Sequence, residues 1–370
     1  MSAITAEDLK VFVEQLKRLL ADRSSETEVR RLSETEEGYD PAVWKALADL
    51  GVTGLIIDED HGGFGGDAVA LELVMEEVGA ALLCSPLLSS AILAPALLQA
   101  LDDDAAKARL LPDLASGTKI ATVAITGRSA GWVKDDVAVN ATAVGEDWTL
   151  SGQAAFVTHA HIADVLLVVA KAADGLAVFE VDPKAAGVTL NSLPTFDHTL
   201  RMSDIDFAKA PARRLACNRP AWDAVEDMLD MARIAVAGEQ AGGSRRVLEM
   251  TVDYAKNRYQ FGRAIGSFQA VKHMAADLLM DSESCTSAAR HAAQCLASGS
   301  DEAPSAISLA AFACADAFSA ITATSIQMHG GIAFTWAHPA HLYLRRARAD
   351  AQLFGSSDFY RERYVQQLGG

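Results

Sequence analysis

The stretch Arg258-Tyr-Gln-Phe-Gly-Arg-Ala-Ile-Gly-Ser-Phe-Gln-Ala-Val-Lys-His273 is the part of this sequence that decides the fold. It predicts the end of one helix, turns at Gly262 and Gly266, and the start of a second helix at Gln269. An arginine at a helix end suits a phosphate group, because its guanidinium forms charge-assisted hydrogen bonds with phosphate oxygens. The same pattern also fits a surface cation beside an ordinary glycine cap, so this stretch needs a second motif to specify a function.

A second stretch, Gln327-Met-His-Gly-Gly-Ile-Ala-Phe-Thr-Trp336, predicts another helix, which ends in a double glycine. Glycines allow a ligand to approach the backbone closely, although they are also common helix caps. With both stretches present, the chain resembles the acyl-CoA dehydrogenases, a family of FAD enzymes with two such signature regions at this spacing. A less specific likeness extends to the N-terminal part, in His61-Gly-Gly-Phe-Gly and Met75-Glu-Glu-Val-Gly79.

The composition argues against several classes of protein. Half of the 370 residues are hydrophobic and only 10 are proline, which favours a mostly helical chain with a large core. The net charge of −17 disfavours nucleic-acid or anionic-membrane partners, since there is no basic surplus to neutralise phosphates. The stretch Ser2–Leu20 is amphipathic and lacks the apolar core of a signal peptide, and no uninterrupted apolar run is long enough for a membrane span. The sequence therefore predicts a soluble cytoplasmic protein.

The cysteines and histidines do not predict a metal site. The five cysteines are scattered, without any Cys-x-x-Cys pair, so we expect reduced, buried thiols rather than a disulfide framework or metal ligands. His338 and His341 are three residues apart but have no obvious third ligand, so they are interpreted as helix-terminal or interface residues. The cysteines are Cys84, Cys217, Cys285, Cys295 and Cys314.

The hydrophobic pattern changes twice along the chain. Residues 1–118 have helical spacing, residues 119–220 form short β-branched runs, and residues 221–370 return to helical spacing. This order predicts an α+β protein. The resemblance implies the same division: an N-terminal helical domain, a middle antiparallel β domain and a C-terminal four-helix bundle. Strands are expected at residues 120–125, 137–144, 148–150, 165–170, 176–181 and 205–207.

The resemblance also implies the chemistry. Acyl-CoA dehydrogenases oxidise an acyl-CoA thioester between Cα and Cβ: a carboxylate removes the α proton, and the flavin accepts the β hydrogen as hydride. Such a base must be held close to Cα, with its pKa raised by desolvation. In the family, the flavin ring rests on the β domain of one subunit. The pyrophosphate and adenine are held by the C-terminal domain of a neighbouring subunit.

By motif match, the two signature stretches would contact the pyrophosphate and adenine of FAD bound to a neighbour. The chemistry is reasonable, because an arginine and several amide side chains combine with glycines that expose the backbone. These residues are Arg258, Gln260, Phe261, Gln269, Gln327, Gly330 and Gly331.

The flavin-ring side matches less well. Gly152-Gln-Ala-Ala-Phe-Val-Thr158 resembles the family's Gly-x-Lys-x-Trp-Ile-Thr strand, with Phe156 in the place of Trp and Thr158 expected to bond the flavin. Phe156 fits an ordinary core strand residue equally well. The family's preceding loop, Thr-Glu-Pro-x-Ala-Gly-Ser-Asp, is only partly kept: Thr126 and Ser129 supply hydroxyl groups, whereas the Glu-Pro and the terminal Ser-Asp are absent.

The catalytic glutamate of the family is missing. Its usual position falls on Gly355, or on Phe354 if the alignment slips by one residue. A minority position, on an earlier helix just before an arginine that matches Arg233, falls on Ala232. None of these side chains can abstract a proton. Four nearby carboxylates are weaker candidates, each equally explained as a solvated helix residue or an ion-pair partner: Asp230, Glu239, Asp350 and Asp358.

Three hypotheses fit this pattern. The first is a heteromeric acyl-CoA dehydrogenase, as in the bacterial branch that acts on steroid side-chain CoA esters, where a partner subunit supplies the base. The second is a self-sufficient homotetramer with an atypical carboxylate, or a flavin enzyme of the same fold with other chemistry. The third is a non-catalytic scaffold that binds CoA esters. For the enzymes, the resemblance implies FAD, an acyl-CoA substrate from fatty-acid or steroid degradation, and an electron-transfer flavoprotein as electron acceptor.

Overall fold

The computed structural model describes residues 5–145 and 147–369, and the chain is divided into two compact units. Each unit is assembled from separate stretches of the sequence. The first unit comprises Met1–Leu9, Arg31–Asp67 and Cys84–Ala232, and the second comprises Lys10–Arg30, Ala68–Leu83 and Arg233–Gly370.

Among the described residues six α-helices precede the sheet, and two of them begin at an aspartate cap. The Asp40 side chain accepts a hydrogen bond from the backbone N–H of Ala42 at 2.8 Å where one helix begins, and Gly51, with φ 94°, ends that helix. Asp103 caps the last of the six in the same way. The helices are α1 (Ala6–Arg23), α2 (Glu26–Ser33), α3 (Pro41–Leu50), α4 (Ala68–Ala80), α5 (Ala94–Ala100) and α6 (Asp104–Ala115).

A seven-stranded sheet in the first unit closes into a barrel-like circuit. Strand β4 pairs with β2 and β5, and the path continues through β3 and β7 back to β5. Buried side chains such as Leu150, Phe179 and Ile205 form its core. The strands are β1 (Ala121–Ala124), β2 (Val139–Val144), β3 (Asp147–Thr158), β4 (Val165–Ala172), β5 (Gly175–Val181), β6 (Val188–Ser192) and β7 (Met202–Arg214).

The expected antiparallel β domain is therefore mainly correct, with two parallel exceptions. Strands β2–β3, β3–β7, β4–β5, β5–β7 and β6–β7 are antiparallel, whereas β1 and β2 each pair with β4 in parallel. Strand β6 was not predicted, because it is short and most of its residues are exposed.

The second unit contains a helical bundle. Helix α8 packs along α9, which also packs against α10 and α11, and α4 packs against α8. The stretch Ala303–Phe334 is long and apolar enough to cross a membrane by length and composition, but half of its most apolar window is buried within the fold. The elements are α7 (Ala221–Asn257, in this unit from residue 233), β8 (Tyr259–Gln260), β9 (Arg263–Ala264), α8 (Gln269–Ala297), α9 (Ala303–His329), α10 (Ala340–Asp350) and α11 (Ser357–Gln367).

Helices α4 and α7 approach each other closely through glycines. A Cβ atom added to Gly79 would lie 1.9 Å from the Glu239 carbonyl oxygen, and one added to Gly242 would lie 1.7 Å from the Glu76 carbonyl oxygen. Only glycine leaves room for this backbone contact.

A buried acidic pair lies on α4. Glu72 is 1% exposed, and its pKa is raised to about 9, first by burial and then by the charge of Glu76. Glu76 binds Arg290 of α8, with the guanidinium Nε donating to its carboxylate at 3.0 Å. Glu72 is therefore a neutral carboxylic acid at neutral pH. The sequence did not reveal this feature, since a glutamate on a helix is usually solvated.

Candidate active site

The first signature stretch forms a small hairpin between two long helices. Helix α7 ends at Asn257, and β8 and β9 then pair through Tyr259–Ala264 and Gln260–Arg263. The turn residues Phe261 and Gly262 both have positive φ, 54° and 79°. Positive φ at both central residues of a two-residue loop is the geometry of a type I′ turn, which matches the twist of the strands. The predicted helix end, glycine turn and new helix at Gln269 are thus confirmed.

The hairpin presents an aromatic and cationic surface. Phe261 is 91% exposed, and Arg258, Gln260 and Gln269 are exposed as well. The ring of Phe268 holds the turn, since the Phe261 ring meets it edge-on at 6.2 Å between centroids. The exposed Phe261 ring and the neighbouring Arg258 are therefore both accessible to another molecule.

The second signature stretch has an open backbone. Helix α9 ends at His329, and Gly330 has φ 67° and ψ −148°, a conformation that only glycine adopts readily. A Cβ atom added at Gly330 or Gly331 would meet nothing within 4 Å. Gln327 is exposed on the last turn of the helix. The peptide groups of this double glycine are therefore accessible to a ligand.

Stacked rings bring the two stretches together. Tyr254, one turn before Arg258, has its ring centroid 4.4 Å from that of His329, which immediately precedes Gly330. His329 in turn lies 4.3 Å from His338. Burial is the main cause of the lowered pKa of both histidines, and the charge of His329 further lowers the pKa of His338, to about 4. The two stretches thus share one end of the bundle, supported by neutral imidazoles.

Of the residues predicted for the flavin ring, Thr126, Phe156 and Thr158 are buried or half-buried in the first unit, whereas Ser129 is exposed. Thr158 ends β3, and its hydroxyl has no hydrogen-bond partner within residues 5–145 and 147–369. The Thr126 hydroxyl is also buried, with only a long 3.4 Å hydrogen bond to the Gly127 carbonyl. Phe156 has φ 56° beside an irregularity in the β3–β7 pairing, so it is not the ordinary strand residue that was considered.

The loop before this strand is built differently from the family pattern. Trp132 is buried with φ 55°, at the place where the family loop ends in Ser-Asp. A Cβ atom on Gly131 would lie 1.8 Å from a carboxylate oxygen of Asp136. Arg128 binds the carboxylate of Asp204 at 2.8 Å. Side chains of the protein itself therefore fill this loop.

The position of the missing glutamate is tightly closed. Gly355 is buried with φ 136°, and a Cβ atom there would lie 2.9 Å from the Phe359 ring and 3.0 Å from the Tyr360 ring. Phe354, the other possible alignment, is buried with φ 61°. Ala232, the minority position, is also fully buried. A side chain at Gly355 would be both strained and crowded.

A hydrogen-bonded chain seals the same place. Tyr360, which is 2% exposed, donates its hydroxyl hydrogen to the Phe354 carbonyl and accepts a hydrogen bond from Arg233 Nε at 3.0 Å. The cavity that Arg233, Asp350, Gly355 and Tyr360 line measures about 10 Å³, room for one water molecule at most. An acyl thioester does not fit into this cavity.

The alternative carboxylates are engaged or badly placed. Glu239 forms a buried ion pair with Arg346. Asp350 is buried against the 10 Å³ cavity, and Asp358 is 96% exposed at its side chain and pairs with Arg361 at 3.1 Å. Asp230 is half-buried on α7. Glu239 and Asp358 are thus held in ion pairs, and Asp350 borders a cavity too small for a thioester.

Comparison with known proteins identifies the family. Residues 6–118 match the acyl-CoA dehydrogenase N-terminal domain, and residues 222–369 match the acyl-CoA dehydrogenase C-terminal domain. Acyl-CoA dehydrogenase IpdE2 of Mycolicibacterium smegmatis is 33% identical over 353 residues, which cover 95% of each chain. This chain is a member of the acyl-CoA dehydrogenase family. The predicted fold and family are thereby confirmed, and the chain belongs to a family of flavoprotein oxidoreductases that act on CH–CH groups.

Two solved structures at higher than 25% identity are heteromeric or steroid-related proteins. The ChsE4-ChsE5 complex from Mycobacterium tuberculosis has a TM-score of 0.90 and 26% identity, covering 100% of this chain and 99% of the other. A variant of the Tcur3481-Tcur3483 steroid ACAD has a TM-score of 0.88 and 28% identity, covering 98% of each chain.

Acyl-CoA dehydrogenases bind FAD, and the residues of this chain fit that cofactor unevenly. The exposed Arg258 and the open glycines of the second signature suit a pyrophosphate. The buried Thr158 hydroxyl, which has no partner in the described chain, suits a flavin ring. The loop around Trp132 does not suit the cofactor, because protein side chains occupy it.

Proposed function

We propose that this chain is the subunit of a heteromeric acyl-CoA dehydrogenase that lacks the catalytic base. The observation that carries the proposal is the closed glutamate position: buried Gly355 has a backbone conformation that other residues rarely adopt, and it is packed by Phe359 and Tyr360. The enzyme would desaturate an acyl-CoA thioester between Cα and Cβ, and the partner subunit would supply the carboxylate that removes the α proton.

The role of this chain would be to complete the FAD site of its partner. Arg258 would donate to the pyrophosphate, and Gln260, Gln269 and Gln327 would supply amide groups for the phosphates and adenine. Phe261, exposed on the hairpin, would be covered on assembly. The backbone of Gly330 and Gly331 would lie against the cofactor. Bound FAD would supply the hydride acceptor for the β hydrogen.

The flavin-ring residues of this chain would serve less well. Thr158 and Thr126 offer hydroxyl groups and Phe156 an aromatic ring, but the neighbouring loop is filled by Trp132 and Asp136. We therefore expect the partner's β domain to hold the flavin ring, and the assembly to contain about one FAD for every two chains.

The substrate and setting are inferred from relatives. The resemblance to a steroid ACAD favours a bulky, ring-bearing acyl group over a simple fatty acyl chain. An electron-transfer flavoprotein would reoxidise the enzyme, and the protein would work in the cytoplasm. We also propose that the N-terminal helical domain ends at residue 118 and that the middle β domain ends at residue 220.

Co-expression with a base-bearing partner tests the proposal. The chain is purified alone and together with each dehydrogenase homologue encoded beside it that carries the family's glutamate, and visible absorption spectra are recorded. We expect no stoichiometric flavin in the chain alone, and about half-stoichiometric flavin, bleached by an acyl-CoA, in the mixed complex. A Glu→Gln change of the partner's base should remove bleaching without removing flavin.

Two other outcomes would contradict the proposal. Stoichiometric flavin in the isolated chain, bleached by an acyl-CoA, would establish a self-sufficient enzyme and reopen the choice among Asp230, Glu239, Asp350 and Asp358. Acyl-CoA binding without flavin in any assembly would establish a non-catalytic scaffold.

A further inference from the structure

Three metal-binding side chains meet at the end of α8, away from both signature stretches. His291 and Cys295 are one helical turn apart on α8, and Glu302 lies just before α9. Their ligand atoms all lie within 4.8 Å of one another. Both ring nitrogens of His291 lie 3.7–3.8 Å from the Cys295 sulphur.

Backbone hydrogen bonds fix the turn that brings Glu302 to the helix. The N–H of Ser300 donates to the Cys295 carbonyl at 3.0 Å, and Gly299, with φ 63°, allows the chain to reverse. The N–H of Glu302 donates to the Ser300 hydroxyl at 3.2 Å. Because this backbone is anchored to Cys295 itself, the distance between Cys295 and Glu302 does not depend on a loose loop.

The spacing of these atoms is close to that of a tetrahedral zinc site. Zinc binds sulphur at about 2.3 Å and nitrogen or oxygen at about 2.0–2.2 Å, so neighbouring ligand atoms lie about 3.5 Å apart. Small side-chain rotations would bring these three ligands to that spacing. We propose that His291, Cys295 and Glu302 form a Zn²⁺ site that joins the end of α8 to the start of α9.

The chemistry of the three groups favours zinc over other cations. A thiolate, an imidazole and a carboxylate are the ligand types that zinc accepts together, whereas magnesium and calcium prefer oxygen ligands alone. Within residues 5–145 and 147–369, Glu302 and His291 form no ion pair with another side chain, so no protein cation competes for this carboxylate. Cys295 is 7% exposed, whereas His291 and Glu302 are exposed, so the three groups lie at the surface of the fold.

The site would act as a clip rather than as part of the redox chemistry. It has three protein ligands, and water would complete the fourth position because His291 and Glu302 are exposed. Metal binding to the folded chain would stabilise the α8–α9 junction by mass action. All three ligands come from this chain, so metal binding requires neither FAD nor a partner subunit.

Cobalt substitution tests the site directly. The full chain is stripped with a chelator and titrated with Co²⁺, and difference spectra against the metal-free protein cancel any flavin absorption. We expect one Co²⁺ per chain, a thiolate-to-cobalt charge-transfer band in the near ultraviolet, and displacement of that band by one equivalent of Zn²⁺. Cys295→Ser should abolish the band, while the matched control Cys217→Ser should keep it.

Further variants separate ligand loss from misfolding. His291→Asn and Glu302→Gln should each weaken Co²⁺ affinity at least about tenfold, comparable to the effects seen on disturbing metal-site shells. Their thermal midpoints in chelator should equal that of the unchanged chain. If Cys295→Ser does not fold, alkylation of the unchanged protein replaces it: Zn²⁺ should protect Cys295 selectively, as read by mass spectrometry.

Three results would overturn the proposal. These are no charge-transfer band at saturating Co²⁺, an undiminished band in Cys295→Ser, and equal alkylation of Cys295 with and without Zn²⁺. Weak binding of several Co²⁺ ions, unchanged in His291→Asn and Glu302→Gln, would mean adventitious surface binding only.

Discussion

The two signature regions and the base loop belong to the same helical unit but differ in packing. At one, Phe261, Gly330 and Gly331 stand open to solvent. At the other, Gly355 is enclosed by Tyr360 and Phe354, and the remaining cavity holds about 10 Å³. An enzyme that works alone needs both places open to ligands. Openness at the first and closure at the second fit the proposal that the cofactor contacts of this chain serve another chain.

The largest expected effect is a loss of folding stability when the ion pair between Glu239 of α7 and Arg346 of α10 is broken. Arg346→Met would leave the Glu239 carboxylate buried without its ion-pair partner, and breaking such a pair costs about 3–5 kcal/mol. Chemical denaturation of the chain measures this loss. The double variant Glu239→Leu with Arg346→Met should recover most of it, and a loss below about 1 kcal/mol in the single variant would mean that the pair is not buried in solution.

Placing a glutamate at position 355 should not restore dehydrogenase activity, because the position is closed. Gly355→Glu places a side chain on backbone with φ 136° and a charge beside the Tyr360 ring, so we expect destabilisation of at least about 3 kcal/mol and no dehydrogenase activity in the isolated chain. Gln352→Glu adds the same charge at an exposed position nearby and should leave the thermal midpoint unchanged. Flavin binding and turnover by Gly355→Glu alone would break the comparison.

The exposed signature residue Arg258 should affect the binding of FAD and not the stability of the chain. Arg258→Ala removes an exposed cation, so the stability of the chain should not change. If Arg258 contacts pyrophosphate, the FAD affinity of the mixed complex should fall about 10- to 100-fold, the equivalent of one charge-assisted hydrogen bond. Lys256→Ala, an exposed cation on the same helix end, is the control. Equal flavin content in both variants would remove Arg258 from the proposed site.

The smallest expected effect is a pH dependence of the local stability of the rings Tyr254, His329 and His338, which pack beside Gly330. The pKa of His338 is about 4 in the folded chain and about 6.5 when unfolded, so the unfolded state binds more protons between these values. Stability from this group is present above pH 6.5 and declines as pH falls toward 4. The amide-exchange protection factors of residues 330–338, which correct for the intrinsic pH dependence of exchange, should therefore fall as the pH is lowered across this window, and His338→Gln should flatten the response.

Much of the fold could be predicted from the sequence, because its signals are local. Gly262, the double glycine at Gly330 and the switch to β-branched runs near residue 119 each act through backbone geometry over a few residues. The parallel pairing of β1 with β4 was not predictable in this way, since it joins segments more than forty residues apart. Strand β6 is short and mostly exposed, so it gave only a weak signal.

The sequence motifs predicted which residues belong to the candidate site, but they did not predict how the surrounding side chains pack. Alignment alone put Gly355 at the glutamate position, but only the structure reveals that Tyr360 and Arg233 seal the space around it. Glu239 was considered as a base and is instead the partner of Arg346. Cys295 gave no metal signal, because only the turn between two helices brings Glu302 to the His291–Cys295 pair.

The raised pKa of Glu72 should be visible in the heat of unfolding. Its pKa of about 9 in the folded chain lies above the ordinary value of 4.5, so at pH 7 the folded state holds a proton that the unfolded chain has released. Folding therefore draws a proton from the buffer, and this part of the stability declines as pH rises from 4.5 to 9. The heat of unfolding should consequently differ between buffers with small and large ionisation enthalpies, although the protein and its contacts are the same.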